Sequence, residues 1–320
     1  MKPTNRQNGL LSVIALCLVS VLLASEDGSA QTLDQQKRWC AGIDSSSPDA
    51  EINACTALIA SGHLNRMDFA LTLSNRGAAY VKKQDYAHAV ADFDEAIRLD
   101  PNDARTFYNR GIVFKNKGDY DRAIQDFDEA IRLNPVYVTA LTNRGNAYSQ
   151  KGEYDRAIQD YDQVIRLNSK YVKGFYNRGE AYSNKGEYDR AIQDLDEAIR
   201  LYPRDPDAFN DRGIAHFSKG EYDRAAEDFN EAIRLKPDFA LAFFNRGVLY
   251  LKIGQFDRAL ADFDAKLKFS PDDPKSLYGR GIAKRRTSDR AGGDADIGAA
   301  IRLDPAIGTS YKLLLGTENF

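Results

Sequence analysis

The chain has 320 residues, 43% hydrophobic and 28% charged, with no low-complexity tract, which excludes wholesale disorder. Lys plus Arg total 44 against 47 Asp plus Glu, and the resulting net charge of -3 carries no footprint for nucleic acid. The histidines are His63, His88 and His216, no two at metal-ligand spacing; no glycine-rich loop precedes a helix and no strand pattern seats a nucleophile, so neither catalysis nor a metal or cofactor is expected.

Residues 1–30 differ in kind from the rest. Lys2 and Arg6 precede an apolar run from Leu10 to Ala24, and a polar stretch then ends in Gly28-Ser29-Ala30, the layout of a secretory signal peptide. Such a run makes a helix of about 22 Å, short of the roughly 30 Å hydrocarbon core. Cleavage after Ala30 is expected, leaving a periplasmic or secreted chain without stable membrane insertion. An inner-membrane anchor is the alternative, because Glu26 and Asp27 sit close to the cut. Cys17 follows Leu16, where a lipidation signal wants a small residue.

Removing this segment leaves Cys40 and Cys55, an even count that in an oxidising compartment suggests a disulfide, with two buried thiols as the alternative. Closing a loop of about 15 residues contributes roughly 3 kcal/mol, mainly by restricting the unfolded chain. Trp39 lies 34 residues before Leu73 and Cys55 lies 34 before Ala89, the period that governs everything downstream. Residues 31–69 therefore read as a divergent helical hairpin, with Ser47 placed to cap its second helix and Pro48 at the first helical position.

From residue 70 to 307 seven copies follow at that period. Asn75-Arg76-Gly77, Asn109-Arg110-Gly111, Asn143-Arg144-Gly145, Asn177-Arg178-Gly179 and Asn245-Arg246-Gly247 recur, with Asp211-Arg212-Gly213 and Gly279-Arg280-Gly281 completing the series. A fixed period in this range means one supersecondary unit copied and stacked, each copy burying a face it cannot bury alone. In the second copy Phe107, Gly111 and Phe114 share one helical face, Lys117-Gly118-Asp119 breaks the pattern, and Ala123, Phe127, Ala130 and Ile131 form the next face. This is a helical hairpin, capped at its second helix by Asp119 and stopped at Pro135. Beyond it Tyr311 lies 34 residues after Leu277, so residues 308–320 read as a capping first helix and tail, with Leu314 and Leu315 as an apolar face equally available for a homo-oligomer contact.

The glycine holds in all seven copies, the alanine at Ala89, Ala123, Ala157, Ala191, Ala225 and Ala259, and the aromatic at Phe93, Phe127, Tyr161, Phe229 and Phe263. On these columns, with the recurrent proline, the chain resembles the tetratricopeptide repeat family. The resemblance implies an all-α, right-handed superhelical solenoid of antiparallel helix pairs, with first helices lining a concave groove. One departure is systematic: the family usually has Leu before the glycine, and this chain has Arg. That Arg column is matched sixteen residues later by Asp92, Asp126, Asp160, Asp194, Asp228, Asp262 and Asp296, so each Arg is expected to meet an Asp of its own hairpin.

The resemblance further implies a non-catalytic protein-protein interaction scaffold, and an asparagine ladder that holds the backbone of an extended peptide. Here the ladder is Asn75, Asn109, Asn143, Asn177 and Asn245, with local backbone satisfaction as the competing role. Positions that vary between copies are the better place to seek specificity. Tyr108 and Tyr176 stand three residues before the glycine, and the fifth and sixth copies combine Ile214, Phe217, Phe244, Val248 and Leu251. That cluster reads either as an apolar peptide site or as tighter packing between copies. Lys284, Arg285 and Arg286 form a basic turn beside it, fit for an acidic group or simply solvated. The expected partner is a protein or peptide. The alternative is an envelope-assembly or oligomerising component that acts through its ends or convex face.

Overall fold

The computed structural model describes residues 32–44 and 47–315, so the expected signal segment and the side chains of Leu314 and Leu315 lie outside the described residues. Every regular element among them is an α-helix. They fall into two compact units, one through Val113 and one from Phe114.

In the first unit α1 (Leu33–Cys40) pairs with α2 (Pro48–Ala60), and α3 (Arg66–Lys82) with α4 (Tyr86–Leu99). Ser47 caps α2 by accepting from the Ala50 amide at 3.2 Å, with Pro48 at the first helical position. Cys40 and Cys55 are bonded across this hairpin, their Cα atoms 4.7 Å apart, and both are buried. Helix α5 (Ala104–Asn116) follows.

In the second unit α6 (Tyr120–Leu133) packs on α7 (Val138–Gln150). The hairpins are then α7 with α8 (Tyr154–Leu167), α9 (Val172–Asn184) with α10 (Tyr188–Leu201), α11 (Pro206–Lys219) with α12 (Tyr222–Leu235), α13 (Ala240–Lys252) with α14 (Phe256–Phe269), and α15 (Pro274–Arg286) with α16 (Arg290–Leu303). Successive first helices also touch each other, from α7 through α15, and so make one continuous surface of the unit. The last hairpin is covered by α17 (Ile307–Leu315): Ile307 is buried, and the Tyr311 hydroxyl donates to the Lys275 carbonyl at 2.7 Å.

The repeated columns explain why each hairpin closes. The turn needs a left-handed residue, and Gly118, Gly152, Gly186, Gly220 and Gly254 supply it at φ of 75 to 80°. In the first unit Gln84 holds that conformation instead, at φ 60°. The glycine of each first helix lets the aromatic of the second approach: a Cβ on Gly145 would stand 2.6 Å from Tyr161, and one on Gly213 2.7 Å from Phe229. Asp119 caps α6 by accepting from the Arg122 amide, whereas Glu153, Glu187 and Glu221 make no cap bond. Their extra methylene carries the carboxylate past the amide; Glu153 instead pairs with Lys151 and Arg156, each at 2.7 Å.

The Arg column meets the Asp column sixteen residues later at Arg76–Asp92, Arg144–Asp160, Arg178–Asp194, Arg212–Asp228, Arg246–Asp262 and Arg280–Asp296, all between 2.6 and 2.8 Å. Arg110 and Asp126 belong one to each unit. The guanidinium of every later copy also reaches back sixteen residues, from Arg110 to Asp94, Arg144 to Asp128, Arg178 to Asp162, Arg212 to Asp196, Arg246 to Asn230 and Arg280 to Asp264, whereas Arg76 donates to the Thr56 hydroxyl at 3.2 Å. The Arg therefore clamps its own second helix to that of the preceding copy, which a planar fork of five donors can do and an ammonium cannot. Desolvation pushes Asp160, Asp194 and Asp262 above the usual carboxylate range even beside a guanidinium. The clamp thus sets register between copies more than it adds net stability.

Candidate peptide-binding surface

The first helices of the second unit carry two different surfaces. Across α7 and α9 the residues that escape the packing columns are polar, and they open a cleft of about 570 Å³ lined by Lys115, Asn146, Tyr161, Asn177, Glu180 and Asn184, among others. Asn146 Oδ1 accepts from both the Tyr161 hydroxyl at 2.7 Å and the Asn177 amide at 2.9 Å. Lys115 Nζ donates to Asn143 Oδ1 at 2.6 Å, and the Asn143 amide donates to the Thr139 carbonyl at 2.9 Å. Neighbouring copies are thereby linked by side-chain amides that face the cleft.

The asparagine ladder continues with a substitution. Asn245 donates to Asn210 Oδ1 at 2.8 Å, Asn210 donates to Asp211 Oδ1 at 3.1 Å, and the Tyr176 hydroxyl donates to Asp211 Oδ2 at 2.6 Å. Desolvation pushes the Asp211 carboxyl up to about 6, against the opposing pull of the Tyr176 and Asn210 bonds. Asn75, Asn109 and Tyr108 are half-buried on α3 and α5. The ladder is thus engaged in bonds between copies, and Asn143, Asn177 and Asn245 each spend part of their capacity on a neighbour.

The apolar cluster is split between the core and a half-buried layer packed against it. Val248 and Leu251 are 3% and 1% exposed, so neither offers a side chain to a ligand; they belong with Tyr250, Phe263 and Leu277 to one buried cluster. Phe244 is half-buried, its ring edge-on to Phe263 with centroids 6.1 Å apart, and Phe217 lies 5.8 Å from Tyr222. Ile214 packs against the buried group around Phe229 and Leu249. Bulk in one copy fills the space that the next leaves open, which favours packing over an open apolar site. The basic turn is also engaged within the chain: Lys284 pairs with Asp296 at 2.9 Å, Arg285 with Asp294 at 2.5 Å, and the Arg286 guanidinium lies 5.9 Å from the Phe256 ring centre.

His216 is buried in the packing column, Nδ1 2.6 Å from Glu221. Among the described residues no group of three or more His, Cys, Asp or Glu could hold a metal ion, and no helix is long and apolar enough to cross a membrane. The cleft residues that sequence reasoning passed over are Asn146, Tyr161 and Glu180, together with Lys115. Three of them stand in the columns one and four places after the glycine, where variation between copies was the available signal.

Profiles described as tetratricopeptide repeat match residues 104–137, 127–159, 176–240 and 210–274, and one described as TPR repeat matches 77–118 and 145–186. No curated protein sequence matches the chain. Among solved structures, a tetratricopeptide repeat protein from Parabacteroides merdae superposes with a TM-score of 0.63 at 24% identity, over 77% of this chain and 97% of its own. A chain of the APC/C hetero-tetramer Cut9-Hcn1 gives 0.60 at 19% identity, over 94% of this chain and 58% of its own. The protein of a functional characterization of Pseudomonas aeruginosa pilF gives 0.55 at 16% identity, over 64% and 94%. Likenesses at these identities speak to the fold. Together the profile matches run from residue 77 to 274 in phase with the repeats, and the chain belongs to the tetratricopeptide repeat family.

Proposed function

We propose that this protein is a non-catalytic scaffold, exported to the periplasm or beyond the cell, which holds an extended segment of a partner protein along the first helices of its second unit. Tetratricopeptide repeat proteins generally act as protein-interaction scaffolds. The observation that carries the reading is the polar cleft across α7 and α9, where Asn146 and Asn177 line a space of about 570 Å³. A carboxamide both donates and accepts, so it matches a backbone that must satisfy N–H and C=O together. Export rests on residues 1–30 and the oxidised pair Cys40 and Cys55.

Selection of a random-peptide display library against the mature chain tests this reading. Enriched peptides should bind the parent at least about tenfold more tightly than the Asn146→Ala, Asn177→Ala double variant, since two backbone-directed hydrogen bonds would be lost. No enrichment, or enriched peptides indifferent to the double variant, would remove the cleft from the account and favour contact through the ends or convex face.

A further inference from the structure

The cleft holds two opposite charges that do not meet. Lys115, half-buried at one side, donates to the neutral Asn143 at 2.6 Å, and Glu180, two copies further on, lines the opposite side. Neither has an ion-pair partner among the described residues, in a chain whose other cations and carboxylates are heavily paired along the same helices. Lys115 is half-buried and its ammonium is pulled down by burial; Glu180 is exposed, with its carboxyl pushed up by the neighbouring walls. The charges of Glu180 and Asp207 both act to raise the neighbouring Asp211 carboxyl.

We propose that the cleft selects a dipolar peptide segment, with an acidic side chain against Lys115 and a basic one against Glu180. The inference rests on the reading above and names the chemistry of the partner that reading leaves open. The half-buried Lys115 charge costs free energy until an acidic group neutralises it, and the exposed Glu180 carboxylate beside the same cleft is open to a basic one. The Lys115 ammonium reaches Asn143 on α7, and Glu180 stands on α9, one helix-to-helix step of roughly 8–10 Å away. An extended chain advances about 3.3 Å per residue and turns successive side chains to opposite faces, so the acidic and basic residues of the ligand stand an even number apart, roughly two or four.

Fluorescent decapeptides of Gly, Ser and Asn test this, carrying Asp and Lys roughly two or four residues apart in either order, Asp twice, Lys twice, or no charge. Binding is read by anisotropy against the mature chain and against the Lys115→Glu, Glu180→Lys double variant. One dipolar order should bind the parent about tenfold more tightly than the uncharged peptide, a preference that weakens as salt is raised. The double variant should transfer that preference to the other order. Lys115→Gln, a milder change, should abolish discrimination between Asp and Asn in the peptide if the double variant fails to fold. Equal binding of dipolar and uncharged peptides, or an order preference unmoved by the charge swap, overturns the proposal while leaving the cleft as a peptide site. If none binds, uncharged included, the cleft reading falls and takes this one with it.

Discussion

The third and fourth copies and the fifth and sixth copies are built on the same columns yet present opposite surfaces. In the former, one residue after the glycine stand Asn146 and Glu180, and the first helices open a polar cleft. In the latter the same column holds Ile214 and Val248, and the surface closes: Val248 is 3% exposed and Leu251 1%. The Arg–Asp pair within each hairpin is the same in both, Arg178 to Asp194 and Arg246 to Asp262, each at 2.7 Å, while the second arm of the clamp ends on Asp162 in one and Asn230 in the other. Stacking and surface character are therefore separable here. Repeated register columns hold the copies together, and the column beside them decides whether a stretch opens a polar cleft or packs into the core.

The largest test breaks the shared part. Arg178→Leu leaves Asp194 buried without its partner and should cost about 3–5 kcal/mol in denaturant unfolding, as should Arg246→Leu. Replacing both members of a pair with apolar residues should recover most of the loss. A large penalty at one site and a small one at the other would mean that the scaffold itself differs between the two stretches. Next in size is Phe244→Ala, which empties half-buried volume against Phe263 and should cost about 2 kcal/mol, less than for a fully buried ring.

Asp211 sits where the polar ladder meets the apolar stretch. Its carboxyl is pushed up to about 6 in the fold, above the unfolded value, so its contribution to stability is fully present below about pH 4 and lost as pH rises through about 6. Asp211→Asn should therefore stabilise the protein by about 2 kcal/mol at pH 7.5 and by little at pH 4, read from denaturation midpoints at the two pH values. A gain independent of pH would show that the carboxyl is not desolvated. The smallest effect lies outside both stretches: Gln84→Gly relieves a left-handed non-glycine residue and should stabilise the first unit by about 1 kcal/mol, measured by thermal unfolding.

What the sequence made legible were the features that repeat. The hairpins, the glycine against its aromatic and the Arg–Asp pairing all recur in register, and repetition turns a weak local signal into a strong one. The second arm of the clamp was not legible, because Asp94, Asp128 and Asp196 lie on exposed helix surface and read as ordinary solvated acids. The site was only partly legible for a related reason. Columns that vary do point to it, but whether a varying residue faces outward depends on the bulk of its neighbours in adjacent copies. Phe217 and Leu251 fill the space around Val248, and no comparable bulk covers Glu180, so one column is core in one place and surface in another.

The most direct test of this division titrates one cleft-selected peptide against Asn177→Ala and Phe244→Ala side by side, with melting temperature recorded for each. The account predicts that Asn177→Ala loses about tenfold or more in affinity with melting nearly unchanged, while Phe244→Ala melts several degrees lower and its folded molecules bind as the parent does. Affinity lost at Phe244 with melting retained, and untouched at Asn177, would contradict it and return the binding site to the fifth and sixth copies.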